Sequence, residues 1–560
     1  MEWTPVWTSE DLLQRFPDLK EEAALDRQPT FRVPKDRIAE VARFIKEDPA
    51  FGMDMLVDLC GVDYPDRAER FETVYHFLST KSLKRLRLKA AAPGPEPTIP
   101  SIVPVYPGAN WFEREAWDLY GIRYEGHPNL KRLLTGDYFK GHALRKDYPA
   151  GKRWPVTVDD VYRNIPPKNE TDDREMMVIN LGPSHPSMHG TFRVLAQFDG
   201  EIVAWADVEV GYLHRCFEKM SETHIYQQVI PYTDRLNYCS PYLNNAAYCR
   251  TVEQMLGIEV PERTQLIRVI LGELSRITDH MVCLGANIVD IGALTNYWYL
   301  FQPREEILGV LEAVCGSRLT VSACRIGGML HDVPENFKAM VERVLKMTPP
   351  LLDDVDRLLS ANTIFHERTM GVGAVTPAQA IEYGWTGPCL RACGVPYDVR
   401  KAYPYYHYDE FDWDIPVGTA GDTYDRYQVR MEEMRQSLKI VRQALDRMEP
   451  GPVMVDDPRL ALPPKGEVYN TMEGLIYQFE KVMFGLKPPK GEFYGFGEGA
   501  NGELGFYIVS DGTPKPHRIK VRPPCYAIYQ YFPQMMVGGM LADAIAILGS
   551  LNIIAGELDR

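Results

Sequence analysis

The run TQLIRVILGELSRITDHMVCLGANIVDIGAL, residues 264–294, carries apolar residues on more than one face of a helix. Such a helix is stable only inside other structure, so it predicts a helical bundle packed around it. Residues from about 240 to 370 continue mostly helical, and TYDRYQVRMEEMRQSLKIVRQALDRME reads as a long charged helix ending at Pro450 and Gly451. Strands interrupt this pattern at both ends. EMMVINLGPSHPSMHGTFRVLAQFDGEIVAWADVEVGY alternates between Gly and Pro breaks, as a small antiparallel sheet does. GELGFYIVSDG and HRIKVRPP form a hairpin-like pair, and AIYQYFPQMMVGGMLADAIAIL reads as a final helix.

The first 150 residues have a different character. Amphipathic helical patterns around DLLQRF and KDRIAEVARFIKED precede three strand-like runs, MLVDLCGVDY, RFETVYHFLST and LKRLRLKAA. A Pro-rich loop, AAPGPEPTIP, leads to a short helix holding Glu113, Glu115 and Asp118 between Trp111, Trp117 and Tyr120, by itself an ordinary amphipathic helix. From about 141 the chain turns polar and Pro-interrupted, as an extended linker on a surface does. The expected class is α+β: a small α/β domain over 1–150, a linker over 151–172, and a larger domain over 173–560 with a helical-bundle core and small antiparallel sheets. A chain of 560 residues is long enough for several domains.

Charge and cysteine usage remove several function classes. The formal charge of -15 argues against a nucleic-acid partner, because phosphate binding needs a dominant basic face. The N-terminus lacks a basic stretch followed by an apolar one, so no secretory leader is expected and the cytosol is the default compartment. No two of the ten cysteines have CxxC spacing, the usual mark of zinc, iron–sulfur or dithiol sites. The chain is therefore expected to bind no metal or cluster of its own. MMVGGMLADAIAILGSLNII has the length of a membrane span, but Asp543 and the glycines break it up, so a buried helix is expected there.

Few residues remain that could carry chemistry. His185 and His189 are four apart, but Pro186 follows the first, and the Glu of a helical HExxH zinc site is missing. A loop between strands suits them, either as structural hydrogen-bonding groups or with one as a proton donor to a ligand. Asp290 ends the apolar helix, where a carboxylate needs a histidine or arginine partner to stay charged. Tyr238, in PYTDRLNYCSPY, falls at a sheet-to-bundle junction, and spacing alone leaves its role undecided. Glu273, Arg276, Asp279 and His280 recur at helical spacing, as a buried polar line or a solvated face, with structural ion pairing the favoured reading.

Longer motifs say more. NLGPSHPSMHG, GYLHRCFEKMSE, RLNYCSPYLNNAAYC, RVILGELSRITDH, RIGG, GELGFYIVSDG and GSLNIIAGELDR closely resemble the D subunit of respiratory complex I, NADH:quinone oxidoreductase. ANWFEREAWDLYGIRYEGHPNLKRLL, with GHALRKDYP after it, resembles the signature of the C subunit. The chain thus looks like a C–D fusion, which would enforce one-to-one stoichiometry. The D subunit is similar to the large subunit of nickel–iron hydrogenases, which holds its metal with two CxxC pairs. Asn237 and Ser240 stand where the first pair would be, and no cysteine follows Cys525, so a nickel site cannot be built in that way.

The resemblance implies a quinone headgroup in the former metal cavity, hydrogen-bonded by residues matching His189 and Tyr238, with Met188 beside them. A carboxylate matching Asp290 would hold His189 in position and favour its charged form. Imidazolium and phenol suit the task, because reducing a quinone adds protons at both carbonyl oxygens. Arg193, Arg235 and Arg276 would support a tetranuclear iron–sulfur cluster held by an adjacent B-type subunit. The implied partners are B-type and I-type iron–sulfur subunits, membrane-arm subunits and the quinone. The implied location is the cytoplasmic face of the membrane, in a peripheral arm that serves a proton-translocating enzyme using NADH. Met188 departs from the family's usual small residue, and Asn237 from its usual Asp. Two other readings stay open: a membrane-bound hydrogenase relative, and a redox-inert scaffold for cluster-bearing subunits.

Overall fold

The computed structural model describes residues 7–149, 151, 176–458 and 460–560. The expected linker, 151–172, falls outside them apart from Gly151. Five strands form the first sheet: β1 (Lys20–Glu21), β2 (Thr30–Val33), β3 (Met55–Asp63), β4 (Phe71–Leu78) and β5 (Arg85–Ala92), in the order β1-β2-β5-β4-β3. Only β2 and β5 run parallel. Every residue of β3 and β4 is buried, which is why these strands read as nearly continuous apolar runs. The helix Ile38–Glu47 buries Ile38, Val41, Ala42 and Ile45, the single stripe its sequence period predicts. A short parallel pair, β6 (Thr98–Pro100) and β7 (Arg123–Glu125), completes this part.

The helix Ala109–Tyr120 is not an ordinary amphipathic helix, because Glu113, Arg114, Glu115 and Asp118 are all buried. It packs on β3, and its charged side meets protein instead of water. Asp118 accepts hydrogen bonds from the backbone N–H groups of Leu133, Leu134 and Thr135 at 3.1, 2.9 and 2.9 Å and pairs with Arg132 at 2.7 Å. The KRLL segment of the C-like signature is thereby clamped to the helix. Glu115 reaches across to Lys520 and Arg560 at 2.5 and 2.6 Å. Burial costs these charges their water, and only opposite charges at this range offset that loss.

Three antiparallel strands, β8 (Met177–Leu181), β9 (Arg193–Asp199) and β10 (Ile202–Glu209), make the small sheet expected at the start of the larger domain. The helix Glu262–Asp290, 29 residues long, is the centre of the bundle. Leu294–Cys315 and Thr423–Arg447 pack on it, and Phe337–Leu359 packs on Leu294–Cys315. A two-residue pair, β11 (Cys324–Arg325) and β12 (Gly328–Met329), lies beside the bundle.

The expected hairpin appears as β14 (Glu503–Ser510) and β15 (Arg518–Arg522), and β13 (Gly491–Glu498) adds a third strand that its glycine-rich sequence, GEFYGFGE, conceals. The expected final helix is instead three, Pro524–Gln530, Phe532–Met536 and Leu541–Leu551, broken at Tyr531, just ahead of Pro533, and at the Gly538–Gly539 pair. Among the described residues no helix is long and apolar enough to cross a membrane.

Two hydrophobic clusters fill the interior. One surrounds the bundle. The other runs without a break from the first sheet through β8–β10 into residues 525–558, so the small α/β unit shares its core with the larger domain. Polar links cross the same boundary: Arg85 pairs with Glu503 at 2.6 Å, Lys89 with Glu492 at 2.6 Å, and the Tyr526 hydroxyl donates to Trp111 O at 2.9 Å.

Candidate functional site

The segment GPSHPSMHG leaves β8 and makes one tight turn, Pro186–Met188, which His189 closes with φ at +56°. The left-handed backbone at His189 turns the chain sharply and presents the imidazole to Asp290. His189 Nε2 lies 2.6 Å from Asp290 Oδ2, with the two side chains 24% and 19% exposed. Asp290 is the last residue of the central helix, whose C-terminal end carries partial negative charge. The contact fixes the orientation of the imidazole, which water and a ligand can still reach. His185 accepts a hydrogen bond from Ser187 N at 3.3 Å and serves the turn itself.

Tyr238 lies in the short connection between the helices Tyr226–Thr233 and Pro241–Leu256. Burial, with smaller contributions from Cys239, Cys525 and Asp279, pushes its hydroxyl up to about 12, so at neutral pH the phenol keeps its proton. Two glycines fix where the loops meet. A Cβ on Gly190 would stand 3.2 Å from Ala555 Cβ. A Cβ on the next residue, Gly556, would stand 2.5 Å from Arg235 O, 2.7 Å from Leu236 O and 3.1 Å from the Tyr238 ring. The His189 and Tyr238 loops, about fifty residues apart in sequence, thus converge on the single step Ala555–Gly556.

The other expected site residues scatter. Met188 is buried in the hydrophobic cluster that runs from the first sheet into residues 525–558. Arg193, on β9, donates to Asn180 Oδ1 at 2.6 Å and pairs with Glu209 at 2.9 Å. Arg235 is half-exposed beside Tyr238 and donates to Pro231 O at 2.5 Å. Arg276 is fully buried, paired with Glu273 at 3.2 Å and donating to Gly499 O and Glu498 O at 2.6 and 2.8 Å. The line containing it is a buried ion-pair network and not a solvated face. Burial raises the Glu273 carboxyl, but Arg276 and Arg400 together hold it down at about 2. His280 Nε2 lies 2.9 Å from Glu433.

Arg215 was legible only as part of the GYLHRCFEKMSE motif. Its Nη2 donates to Arg235 O at 2.5 Å, and burial and then Arg235 pull its pKa down. Two guanidinium groups therefore flank the Tyr238 loop, a positive edge suited to developing negative charge.

Asp279 faces Asn237 and Ser240, the two residues that the resemblance sets against the first hydrogenase CxxC pair. It accepts from Asn237 Nδ2 at 2.7 Å, Ser240 Oγ at 2.7 Å and Asn552 Nδ2 at 2.6 Å. Two amides and a hydroxyl thus surround one carboxylate. Among the described residues no group of three or more His, Cys, Asp or Glu could hold a metal ion.

Comparison with known proteins places these features. Residues 290–560 match the family of the respiratory-chain NADH dehydrogenase 49 Kd subunit, and residues 31–153 match that of the 30 Kd subunit. The C/D subunit of NADH-quinone oxidoreductase from Bdellovibrio bacteriovorus is 51% identical, covering 94% of this chain and 94% of its own length. The chain belongs to the fused C/D subunit family of NADH-quinone oxidoreductase. The C/D 2 subunit of Aquifex aeolicus aligns over 100% of both chains at 38% identity. The D 1 subunit of Sorangium cellulosum, 51% identical, covers 69% of this chain and 96% of itself. As a member of this family the chain is an oxidoreductase component of the electron-transport machinery of complex I, whose other subunits are its expected partners.

Proposed function

We propose that His189, Tyr238 and Asp290 form the headgroup site at which the enzyme reduces quinone. The observation that carries this reading is the convergence of the two proton-bearing loops on Ala555–Gly556, with His189 held 2.6 Å from Asp290. A quinone becomes a quinol by taking two electrons and two protons. One carbonyl oxygen would accept from the His189 ring, which Asp290 holds in position, and the other from the Tyr238 phenol. Arg215 and Arg235 would lower the cost of negative charge on the headgroup before the protons arrive. Met188 would back the site from the core. Arg193 and Arg276 would act only by holding the surrounding backbone.

The electrons would come from a tetranuclear iron–sulfur cluster in a B-type partner facing this wall. The chain alone would be inactive. On this reading a C-like domain, 1–150, and a linker, 151–172, secure the D-like domain, 173–560, against B-type, I-type and membrane-arm subunits on the cytoplasmic face of the membrane. Proton translocation would follow in those membrane subunits.

The test compares quinone reductase activity of membranes carrying Tyr238→Phe with electron transfer from the same donor to an artificial acceptor that bypasses quinone. Loss of a positioned proton donor costs roughly 10²–10⁴-fold in rate, so quinone reduction should collapse while the bypass rate holds. If both rates survive, Tyr238 is core packing and the chain is a redox-inert scaffold.

A further inference from the structure

The carboxylates of the central network, Glu273, Glu433 and Glu498, each meet an arginine or histidine. Two carboxyl groups behind Tyr238 do not. Asp279 and Glu557 are both buried, and their hydrogen-bond donors among the described residues are neutral. Glu557 Oε1 accepts from Cys525 N at 3.2 Å and Oε2 from Asn501 Nδ2 at 3.3 Å. Asn501 Oδ1 accepts from Asn552 Nδ2 at 2.6 Å, and the same Asn552 amide reaches Asp279 Oδ1 at 2.6 Å. Glu557 follows Gly556, the residue packed against the Tyr238 ring.

Two buried carboxylates joined through neutral amides cannot both ionise cheaply, because each charge lacks water and a counter-ion. Burial and the neighbouring Asp279 both push the Glu557 carboxyl towards its protonated form.

We propose that Glu557 is the proton-binding group of the quinone site, taking up one proton when negative charge develops at Tyr238 and the headgroup. The proposal rests on the quinone reading above. The step is the conversion of the Glu557 carboxylate and a solvent proton to the carboxylic acid, with no electron transferred. Glu557 touches no substrate and acts through its charge, so it is a positioning residue.

The groups facing it support this assignment. Asp279 comes from the central helix, Cys239 from the loop before Pro241 that also carries Tyr238, and Cys525 from the helix Pro524–Gln530. On its own turn Asp559 accepts from Gly211 N and Leu213 N, while Arg560 is engaged by Glu115 and Glu218. Burial is the main influence on Glu557 and pushes its carboxyl up to about 7, opposed by the Cys525 and Asn501 hydrogen bonds. Above that pH it becomes an anion behind Tyr238 and opposes proton loss from the phenol.

The test uses membranes carrying the whole complex. In the wild-type enzyme, infrared difference spectra between oxidised and quinol-reduced states should contain a carboxylic-acid C=O band sensitive to deuterium exchange. The band should vanish in Glu557→Gln and return, shifted, in Glu557→Asp. The ratio of Gln-variant to wild-type quinone reductase rate should rise several-fold from pH 6 to pH 8.5, with the bypass rate unchanged. A wild-type spectrum without such a band overturns the proposal even if the variant fails to assemble. So does a band that survives in Glu557→Gln, or a flat rate ratio. If Tyr238→Phe leaves quinone reduction intact, the quinone reading itself fails. If Tyr238→Phe abolishes it while the Glu557 tests are flat, only this inference fails.

Discussion

Glu115→Gln tests how the C-like part secures the site. Glu115 and Glu218 sit among Arg518, Lys520 and Arg560, all with side chains at most 5% exposed. Contacts run from 2.5 Å for Lys520–Glu115 through 2.7 Å for Arg518–Glu218 to 3.5 Å for Arg560–Glu218. Three cations face two anions, and removing the Glu115 charge leaves three facing one. Each pair near 4 Å is worth about 4 kcal/mol at an effective dielectric of 20. Part of that loss is returned because the glutamine has less hydration to forfeit, and breaking a buried pair typically costs about 3–5 kcal/mol. In a chain of 560 residues the midpoint of thermal inactivation should fall by roughly 3–4 °C.

The assay is thermal inactivation of quinone reductase in membranes, with the amount of this chain retained in the complex measured alongside. Because Arg560 follows closely on Gly556, activity should fall before the chain is lost from the complex. Replacing Glu115 and Lys520 together by Leu and Met should recover part of the loss, since two cations, Arg518 and Arg560, then face Glu218 and the excess of cations returns to one. A Glu115→Gln midpoint within about 1 °C of wild type would refute the reasoning, because 3–5 kcal/mol cannot be hidden in so small a shift.

Two further outcomes follow from single contacts. Gly556→Ala must displace Arg235 O, Leu236 O or Tyr238, an overpacking cost of about 1–3 kcal/mol, and quinone reduction should drop with the bypass rate intact; unchanged quinone kinetics would mean that the two loops do not share this wall. Burial pushes the Glu113 carboxyl from its ordinary 4.5 up to about 8, against hydrogen bonds from Ser101 and Ile102. The unfolded chain therefore releases this proton first, and stability falls as pH rises from about 4.5 to 8. Glu113→Gln should abolish that component and raise the inactivation midpoint at pH 8 more than at pH 5; equal shifts at both would count against it.

Much of this architecture was legible in the chain alone. The buried helix Glu262–Asp290 announced itself through apolar residues on several faces, and β3–β5 through dense β-branched and apolar runs, because local period and burial are both written residue by residue. His189, Tyr238 and Asp290 could be singled out by residue type and motif. The His189–Asp290 contact and the approach of the Tyr238 loop could not, because they depend on a 2.6 Å contact across 101 residues and on two glycines that let loops close on Ala555–Gly556. The acidic helix Ala109–Tyr120 read as ordinary because its partners, Lys520 and Arg560, lie about four hundred residues away. Glu557 stood only inside the GSLNIIAGELDR motif for the same reason. The sequence by itself determined which segments are helix, strand and core, since those follow from neighbours a few residues apart. Only the tertiary structure decided which buried charges have counter-ions and which do not, since a counter-ion is a matter of distance in space.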